Sequence, residues 1–168
     1  MRIISCHIII VTLALIFLPV LMGAEMYWVS EDFDSISLPN ITSQTQPCED
    51  SATITLYTSG DAQISAENTP SGQAELSCVT DTLVTEYKLT FDSAGGTTGV
   101  GTGEDGGSEW QLYDVFLTTG TEGDVTHIPD DNDVDVTLWV RASNRNDEVA
   151  DADDYIATQT LTVSWVGP

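Results

Sequence analysis

The segment Val134-Asp135-Val136-Thr137-Leu138-Trp139-Val140-Arg141 alternates strictly between aliphatic side chains and polar or aromatic ones. Successive side chains of a β-strand point to opposite faces of its sheet, so a two-residue period separates a buried face from an exposed one. The pattern predicts a half-buried strand. Its inward side chains are Val134, Val136, Leu138 and Val140, and its outward side chains are Asp135, Thr137, Trp139 and Arg141.

Five further runs between Ser51 and Trp165 share this period, and no comparable stretch holds the 3.6-residue period of a helix. These runs are Ala52–Tyr57, Gln73–Val79, Val84–Phe91, Glu109–Leu117 and Ile156–Trp165. Turn-forming residues separate several of them, including Ser59-Gly60-Asp61 and Thr69-Pro70-Ser71-Gly72. We therefore predict an all-β chain that folds as an Ig-like β-sandwich of about six strands.

The N-terminal region, residues 1–24, has the features of a secretory signal peptide. Arg2 supplies a positive start, Ile8–Met22 is nearly all apolar, and Met22-Gly23-Ala24 offers small residues for cleavage. A permanent membrane anchor is the alternative, but this apolar run is short for a span of about 20 residues. We expect cleavage near Ala24 and no stable membrane insertion afterwards.

Two cysteines, Cys48 and Cys78, remain after cleavage, since Cys6 leaves with the signal. In an exported chain such a pair is most simply one disulfide between neighbouring strands. Two buried free thiols are the alternative. A bridge between them would stabilise the fold by roughly 3–4 kcal/mol in the chain-entropy model.

The charge of the chain is strongly negative, with 27 acidic residues and a formal net charge of −23. All acidic residues follow Ala24, where they are opposed by Lys88, Arg141 and Arg145. Such a surface repels phosphates, so we expect no nucleic-acid partner and no binding to anionic membranes.

Catalytic groups are sparse, and we predict that the protein is not an enzyme. His127 is the one histidine after the signal, and it lies in an acidic turn before Pro129. Nucleophilic hydrolysis needs a nucleophile, a base and an orienting group, which a single histidine does not supply. The segment Gly101–Gly106 matches the dinucleotide fingerprint in letters, but no helix follows it, so we interpret Ser93–Ser108 as a flexible surface loop.

An acidic turn is the candidate metal site, since calcium favours oxygen ligands at alternating loop positions. Asp131, Asp133 and Asp135 begin such a series, but Val136 and Ala142 stand where a calcium loop has glycine and glutamate. A solvated acidic rim is the simpler interpretation, and calcium is the one cofactor that we retain as a prediction.

A second acidic cluster comprises Asp147, Glu148, Asp151, Asp153 and Asp154. Asn40-Ile41-Thr42 is a formal glycosylation sequon.

Six strands are fewer than the seven of a full Ig-like sandwich, which predicts an unfilled groove and strand edge. The leader, residues 25–47, could fill the groove of its own chain or of a neighbour, the latter being donor-strand complementation. The leader candidates are Ile36 and Leu38, with Met26-Tyr27-Trp28-Val29 as a shorter second segment. The residues expected to line the groove in the domain, residues 48–168, are Ile54, Leu56, Leu161 and Val163.

Several segments between Cys48 and Trp165 together resemble the spore coat protein U domain and its pilin-like relatives of the chaperone–usher class. They are the opening Cys48, Gly72–Cys78, Glu86–Phe91 before a glycine-rich turn, Trp110-Gln111-Leu112-Tyr113 and the closing Tyr155–Trp165. The chain departs from the family in its leader, where Pro39 breaks the alternation after Leu38. The resemblance implies a pilin-like sandwich, export through the periplasm to the cell surface, and a periplasmic chaperone and outer-membrane usher as partners.

The sequence therefore predicts a secreted subunit of a pilus, coat or biofilm, whose copies assemble by strand addition. The alternative is a self-contained extracellular binding module with an acidic, calcium-binding rim.

Overall fold

The computed structural model describes residues 24–30, 33–41, 46–67, 73–92, 95–101, 109–144 and 150–167. In these ranges the chain contains nine β-strands and no helix. The strands are β1 (Met26–Trp28), β2 (Cys48–Thr58), β3 (Asp61–Ala66), β4 (Val84–Asp92), β5 (Thr98–Gly101), β6 (Gln111–Leu112), β7 (Gly123–Thr126), β8 (Asp133–Ser143) and β9 (Leu161–Gly167). The predicted all-β class is confirmed.

The strands form two antiparallel sheets that enclose one hydrophobic core. One sheet has five strands in the order β1-β2-β8-β4-β6, and the other has four in the order β5-β7-β3-β9. Because β2 and β3 follow each other in the chain but belong to different sheets, the Ser59–Gly60 turn crosses from one layer to the other. The predicted β-sandwich is therefore confirmed.

Strand β8 lies at the centre of the five-stranded sheet. It pairs with β2 from Cys48↔Ala142 to Tyr57↔Asp133, and with β4 from Val84↔Ser143 to Asp92↔Asp135. The four aliphatic side chains assigned to its inner face are completely buried, as the two-residue period predicts. This long central strand fixes which side chains of β2 and β4 share each face.

Three predicted runs are not regular strands over their whole length, and one of them, Ile156–Trp165, is a strand only from Leu161 onward. In Gln73–Val79, Ala74 and Leu76 are buried, but the Leu76 N–H donates to the Thr85 hydroxyl instead of a neighbouring strand. Glu109–Leu117 contributes only β6, and its second half is a turn. In Gln73–Val79 the alternation reports burial, but in Glu109–Leu117 the predicted shared face of Tyr113, Val115 and Leu117 is wrong, because Val115 is exposed while the adjacent Phe116 and Leu117 are both buried. The backbone hydrogen bonds of these two runs go to partners that a sequence pattern does not reveal.

Strand β5 corrects the interpretation of Ser93–Ser108 as a flexible surface loop. Thr98–Gly101 pairs with Gly123–Thr126 of β7. Gly99 packs directly on the Phe91 side chain, and a Cβ atom at Gly99 would overlap the Phe91 ring. This glycine therefore permits a close contact between the sheets.

The predicted disulfide is not formed in the structure, where Cys48 and Cys78 are both free thiols. Cys48 opens β2, two strands away from β4, and its Sγ lies 3.6 Å from the backbone oxygen of Asn40. Cys78 belongs to the connection that precedes β4, and its Sγ lies 3.7 Å from the Thr80 hydroxyl. Each sulfur contacts a local polar partner, and the structure does not show the predicted bridge, so the disulfide stays a prediction.

Some sequence predictions concern residues outside the described ranges. They include the signal segment before Ala24, Thr42 of the sequon, the turn Thr69–Gly72, and Asp147 and Glu148 of the second acidic cluster. In the part of the chain that the structure does describe, no helix has the length and apolar character needed to cross a membrane.

Candidate functional site

The leader begins as an added strand at the edge of the five-stranded sheet. Tyr27 of β1 pairs with Tyr57 of β2, and the two rings stack with centroids 4.8 Å apart. Beyond β1, the Val29 N–H donates to the Thr55 carbonyl at 2.9 Å. Within the leader residues that the structure describes, the strand is β1, which covers Met26–Trp28 of the shorter leader candidate Met26–Val29.

The rest of the described leader, Phe33–Ile41, places side chains in the core without forming a strand. Ile36, Leu38 and Ile41 are 2%, 4% and 1% exposed, whereas Ser37 and Pro39 between them face the solvent. Pro39 breaks the two-residue alternation, so Ile41 reaches the core with a three-residue step. Sequence reasoning missed Ile41 because it was considered only as the middle residue of a glycosylation sequon.

The four predicted groove residues lie in the same buried cluster as the leader side chains. Ile54 and Leu56 extend inward from β2, and Leu161 and Val163 extend inward from β9. The structure thus brings together all six residues predicted from the sequence, and the leader of the chain occupies its own core. Burying one such aliphatic side chain stabilises a fold by about 1.5–3 kcal/mol, so docking of the leader contributes several kcal/mol.

Strand β9 is an edge of the four-stranded sheet, with β3 as its hydrogen-bonded neighbour. Its final residues include Trp165 and Val166, which are both exposed. An edge strand with exposed apolar side chains can accept another strand. The leader and β9 are therefore two elements whose geometry suits strand exchange, and β5 and β6 are the other sheet edges among the described residues.

The acidic turn does not gather its three aspartates around one point. Asp131 lies in the turn, with its carboxylate against Gly95 and Gly96. Asp133 and Asp135 belong to β8, and the Asp135 carboxylate accepts a hydrogen bond of 2.7 Å from the Thr55 hydroxyl. Among the described residues, no three His, Cys, Asp or Glu side chains are placed to hold a metal ion. Calcium binding at Asp131, Asp133 and Asp135 stays a prediction.

His127 is held by local contacts near the same turn. Its Nε2 lies 2.8 Å from Oδ1 of Asn132, and its backbone N–H donates to Asp61 at 2.9 Å. Asn132 in turn donates to the Tyr57 hydroxyl at 2.9 Å. These contacts give the imidazole a structural role in joining the turn to β2 and β3.

A second polar cluster surrounds the thiol of Cys78. Burial raises the pKa of this thiol, but hydrogen bonds from Thr80, Tyr155 and Asp81 outweigh burial and hold the pKa below the ordinary value. Burial raises the pKa of Tyr155, and its contacts with Cys78 and Asp81 add to the rise. The Tyr155 hydroxyl also lies 3.0 Å from the Asp151 carbonyl. Tyr155 therefore remains a neutral hydrogen-bond donor beside the thiol.

Aromatic and basic side chains cluster on the outer surface of the five-stranded sheet. The Lys88 Nζ lies 4.6 Å from the ring centroid of Trp110 and 4.8 Å from that of Trp139. The Arg141 guanidinium lies 4.5 Å from the centroid of Trp110 and forms an ion pair with Glu86. Sequence periodicity placed Lys88, Trp139 and Arg141 outward, but the strand register that unites them with Trp110 is visible only in the structure.

A scan against protein-family models finds no match for this chain, and a search of curated proteins finds none either. The resemblance to the spore coat protein U domain therefore stays a prediction, and the function is inferred from geometry.

Proposed function

We propose that this protein is a secreted, non-enzymatic subunit of a surface pilus, coat or biofilm, whose copies assemble by exchanging their leader segments. The main support for this proposal is that the leader beyond β1 is buried without forming a strand. Ile36, Leu38 and Ile41 are buried in the core, yet the backbone of Phe33–Ile41 forms no strand with either sheet.

This combination makes the leader suitable for exchange. The apolar side chains provide the binding free energy, while Phe33–Ile41 lacks a continuous ladder of backbone hydrogen bonds, so exchange has to break only the short pairing of β1 with β2. The same groove can accept the same segment from another copy, because identical chains offer identical partners. Exchange along a row of copies joins them without any new interface, which is the mode of donor-strand assembly. A periplasmic chaperone and an outer-membrane usher are the partners that such assembly implies.

The test is a complementation experiment on the mature chain. A variant that lacks residues 25–47 should expose the groove and bind an added peptide of that sequence, and a peptide with Ile36→Asp and Leu38→Asp should not bind. The full mature chain should give a ladder on an SDS gel that collapses on boiling. Equal binding of the two peptides, or a single monomer band with and without boiling, would overturn the proposal.

A self-contained extracellular binding module is the second candidate, and the intramolecular docking of the leader favours it. In this alternative the leader completes its own sandwich permanently, and the acidic turn with Asp131, Asp133 and Asp135 is the rim that would bind a cation. The gel experiment separates the two candidates, since the module gives one band under both conditions. Calcium titration of that monomer, followed by its melting temperature, would then test whether the rim binds a cation.

A further inference from the structure

The pairing of β1 with β2 places two tyrosines side by side on the outward surface of the five-stranded sheet. Tyr27 and Tyr57 are register partners, and their rings stack with centroids 4.8 Å apart and planes inclined by 14°. The Tyr27 side chain is 43% exposed, and that of Tyr57 is half-buried. Trp28, the next residue of β1, is buried in the core instead. At the surface, the leader therefore meets the rest of the chain through two stacked phenol rings.

The accessibility of this pair sets it apart from other tyrosines of the chain, which has five. Tyr87 and Tyr155 are completely buried. Tyr113 is half-buried and follows β6, at the opposite edge of the same sheet. An oxidant in solution therefore reaches Tyr27 more readily than either buried tyrosine, and it finds there a second phenol already in contact with the first.

The ring of Tyr57 is oriented by side chains of the acidic turn. Its hydroxyl accepts a hydrogen bond of 2.9 Å from the Asn132 amide, and Oδ1 of that amide lies 2.8 Å from Nε2 of His127. Because the Tyr57 hydroxyl is the acceptor in this bond, the bond does not use the hydroxyl proton. Two groups held in contact in a fixed orientation react faster than two groups that must meet by diffusion. Tyr57 therefore presents an oriented phenol to the leader.

We propose that Tyr27 and Tyr57 are an oxidative cross-linking site, at which a carbon–carbon bond joins the two rings as a dityrosine and fixes the leader to β2. Each phenol loses one electron and one proton, and the two radicals combine at the ring carbons next to the hydroxyls. The hydrogen on each joined carbon then moves to the oxygen, which restores both hydroxyls. The two electrons and two protons reduce one hydrogen peroxide to two waters. An extracellular peroxidase that uses hydrogen peroxide is the class of oxidant that this step requires.

The cross-link would make a short and reversible pairing permanent. Strand β1 contributes only Met26–Trp28 to the sheet, so few backbone hydrogen bonds hold this end of the leader. In a chain whose leader docks in its own core, the new bond lies within one chain. With exchanged leaders, Tyr27 of one copy meets Tyr57 of the next, and the bond joins the two copies. This joining of copies rests on the proposed function, whereas the bond itself does not.

The test treats the folded mature chain, at low concentration, with hydrogen peroxide and a haem peroxidase. Peptide mapping by mass spectrometry should find the Tyr27 peptide joined to the Tyr57 peptide, with two hydrogen atoms fewer than the separate peptides. Tyr27→Phe and Tyr57→Phe each remove one phenol. The rate of dityrosine formation, followed by its fluorescence, should fall at least about tenfold in each variant, because coupling then requires an encounter between chains.

Tyr113→Phe provides the matched control, since it makes the same change at a half-buried tyrosine away from the pair. It should leave the rate of dityrosine formation unchanged. Circular dichroism of each variant should show that it is folded. A folded wild-type chain that forms no dityrosine, or equal rates for the wild type and Tyr27→Phe, would overturn the inference. A cross-link that maps to Tyr113 instead of Tyr57 would overturn it too.

A mixture of Tyr27→Phe and Tyr57→Phe, refolded together from urea, separates this inference from the proposed exchange of leaders. In that mixture Tyr27 of one variant meets Tyr57 only in a copy of the other variant. Cross-linked copies in the oxidised mixture would support both the inference and the exchange. A mixture without cross-links, beside a wild type whose Tyr27 and Tyr57 are joined, would support a bond within one chain and count against exchange.

Discussion

The Tyr87 hydroxyl donates a hydrogen bond of 2.7 Å to the backbone carbonyl of Ala74. Tyr87 is completely buried on β4, and Ala74 belongs to the irregular segment that precedes this strand. We expect Tyr87→Phe to lower the free energy of unfolding by about 1–3 kcal/mol, because the buried carbonyl loses its partner while the aromatic ring is retained. Urea unfolding of the mature chain measures this change.

Tyr27→Phe is the control for Tyr87→Phe. Tyr27 is exposed and stacks on Tyr57, so loss of its hydroxyl should change the free energy of unfolding by less than about 0.5 kcal/mol. Equal losses in the two variants would show that the Ala74 segment is not anchored through Tyr87.

The ion pair between Glu86 and Arg141 should make a measurable contribution to stability. Its side chains are 22% and 26% exposed, and two parallel hydrogen bonds fix their geometry. We expect Glu86→Gln to lower the free energy of unfolding by about 1 kcal/mol, the upper end for such partly exposed pairs. The loss should shrink in about 1 M salt, where charges interact over only about 3 Å.

Glu49→Gln is the matched control for the ion pair. Arg141 of β8 has Glu86 of β4 as one register partner and Glu49 of β2 as the other, and the Glu49 side chain is exposed. We expect a change below about 0.5 kcal/mol. A larger effect at Glu49 than at Glu86 would mean that Arg141 pairs with β2 in solution.

The sequence pattern predicted strands well where burial and hydrogen bonding agree. Val134–Arg141 lies at the centre of a sheet, so its alternation and its backbone ladder coincide. Gln73–Val79 shows the same alternation, but the Leu76 N–H bonds to a side chain, so burial occurs there without a strand. Short strands such as β7 were missed because four residues contain too few inward positions to establish a period.

In the candidate groove, too, the sequence predicted some of the buried residues and missed others. Ile36 and Leu38 were predicted to dock because they are apolar and two residues apart, and both are buried. Ile41 was missed because Pro39 shifts the spacing. The aromatic and basic cluster on the outer surface of the five-stranded sheet depended on register, since Trp110 meets Lys88 only through the pairing of β6 with β4. Register is determined by tertiary packing, so one sequence does not reveal which outward side chains become neighbours.

Docking of the leader should be visible in the stability of the monomer. We expect Leu38→Ala to lower the free energy of unfolding by about 2–4 kcal/mol, because it removes a buried side chain and leaves a cavity. Ser37→Ala changes the adjacent exposed residue and should alter the free energy by less than about 0.5 kcal/mol. Denaturant unfolding of both variants measures the difference. Equal stabilities would show that Phe33–Ile41 is not docked in the core.

The close contact between Gly99 and Phe91 predicts a coupled pair. A Cβ atom at Gly99 would overlap the Phe91 side chain, so Gly99→Ala should lower the free energy of unfolding by about 1–3 kcal/mol. In a Phe91→Ala background most of the overlapping atoms are absent, and the effect of Gly99→Ala should fall by more than about 0.5 kcal/mol. A double-mutant cycle measured by urea unfolding gives this coupling. Strict additivity would mean that β5 and Phe91 do not touch.

The two free thiols should differ in reactivity because of their hydrogen bonds. The contacts of Cys78 with Thr80, Tyr155 and Asp81 lower its pKa despite burial, so its thiolate forms at a lower pH than that of an ordinary cysteine. We expect alkylation of the folded chain at neutral pH to modify Cys78 before Cys48, with the Cys78 rate reaching its plateau at a lower pH than the rate of an ordinary cysteine. Thr80→Val removes one hydroxyl donor and should move that plateau to higher pH, whereas Thr126→Val, at an exposed threonine on β7, should leave it in place. Peptide mapping by mass spectrometry reports both sites. A chain that resists alkylation until a reductant is added would instead show that Cys48 and Cys78 are oxidised to a disulfide, which contradicts the free thiols of the structure.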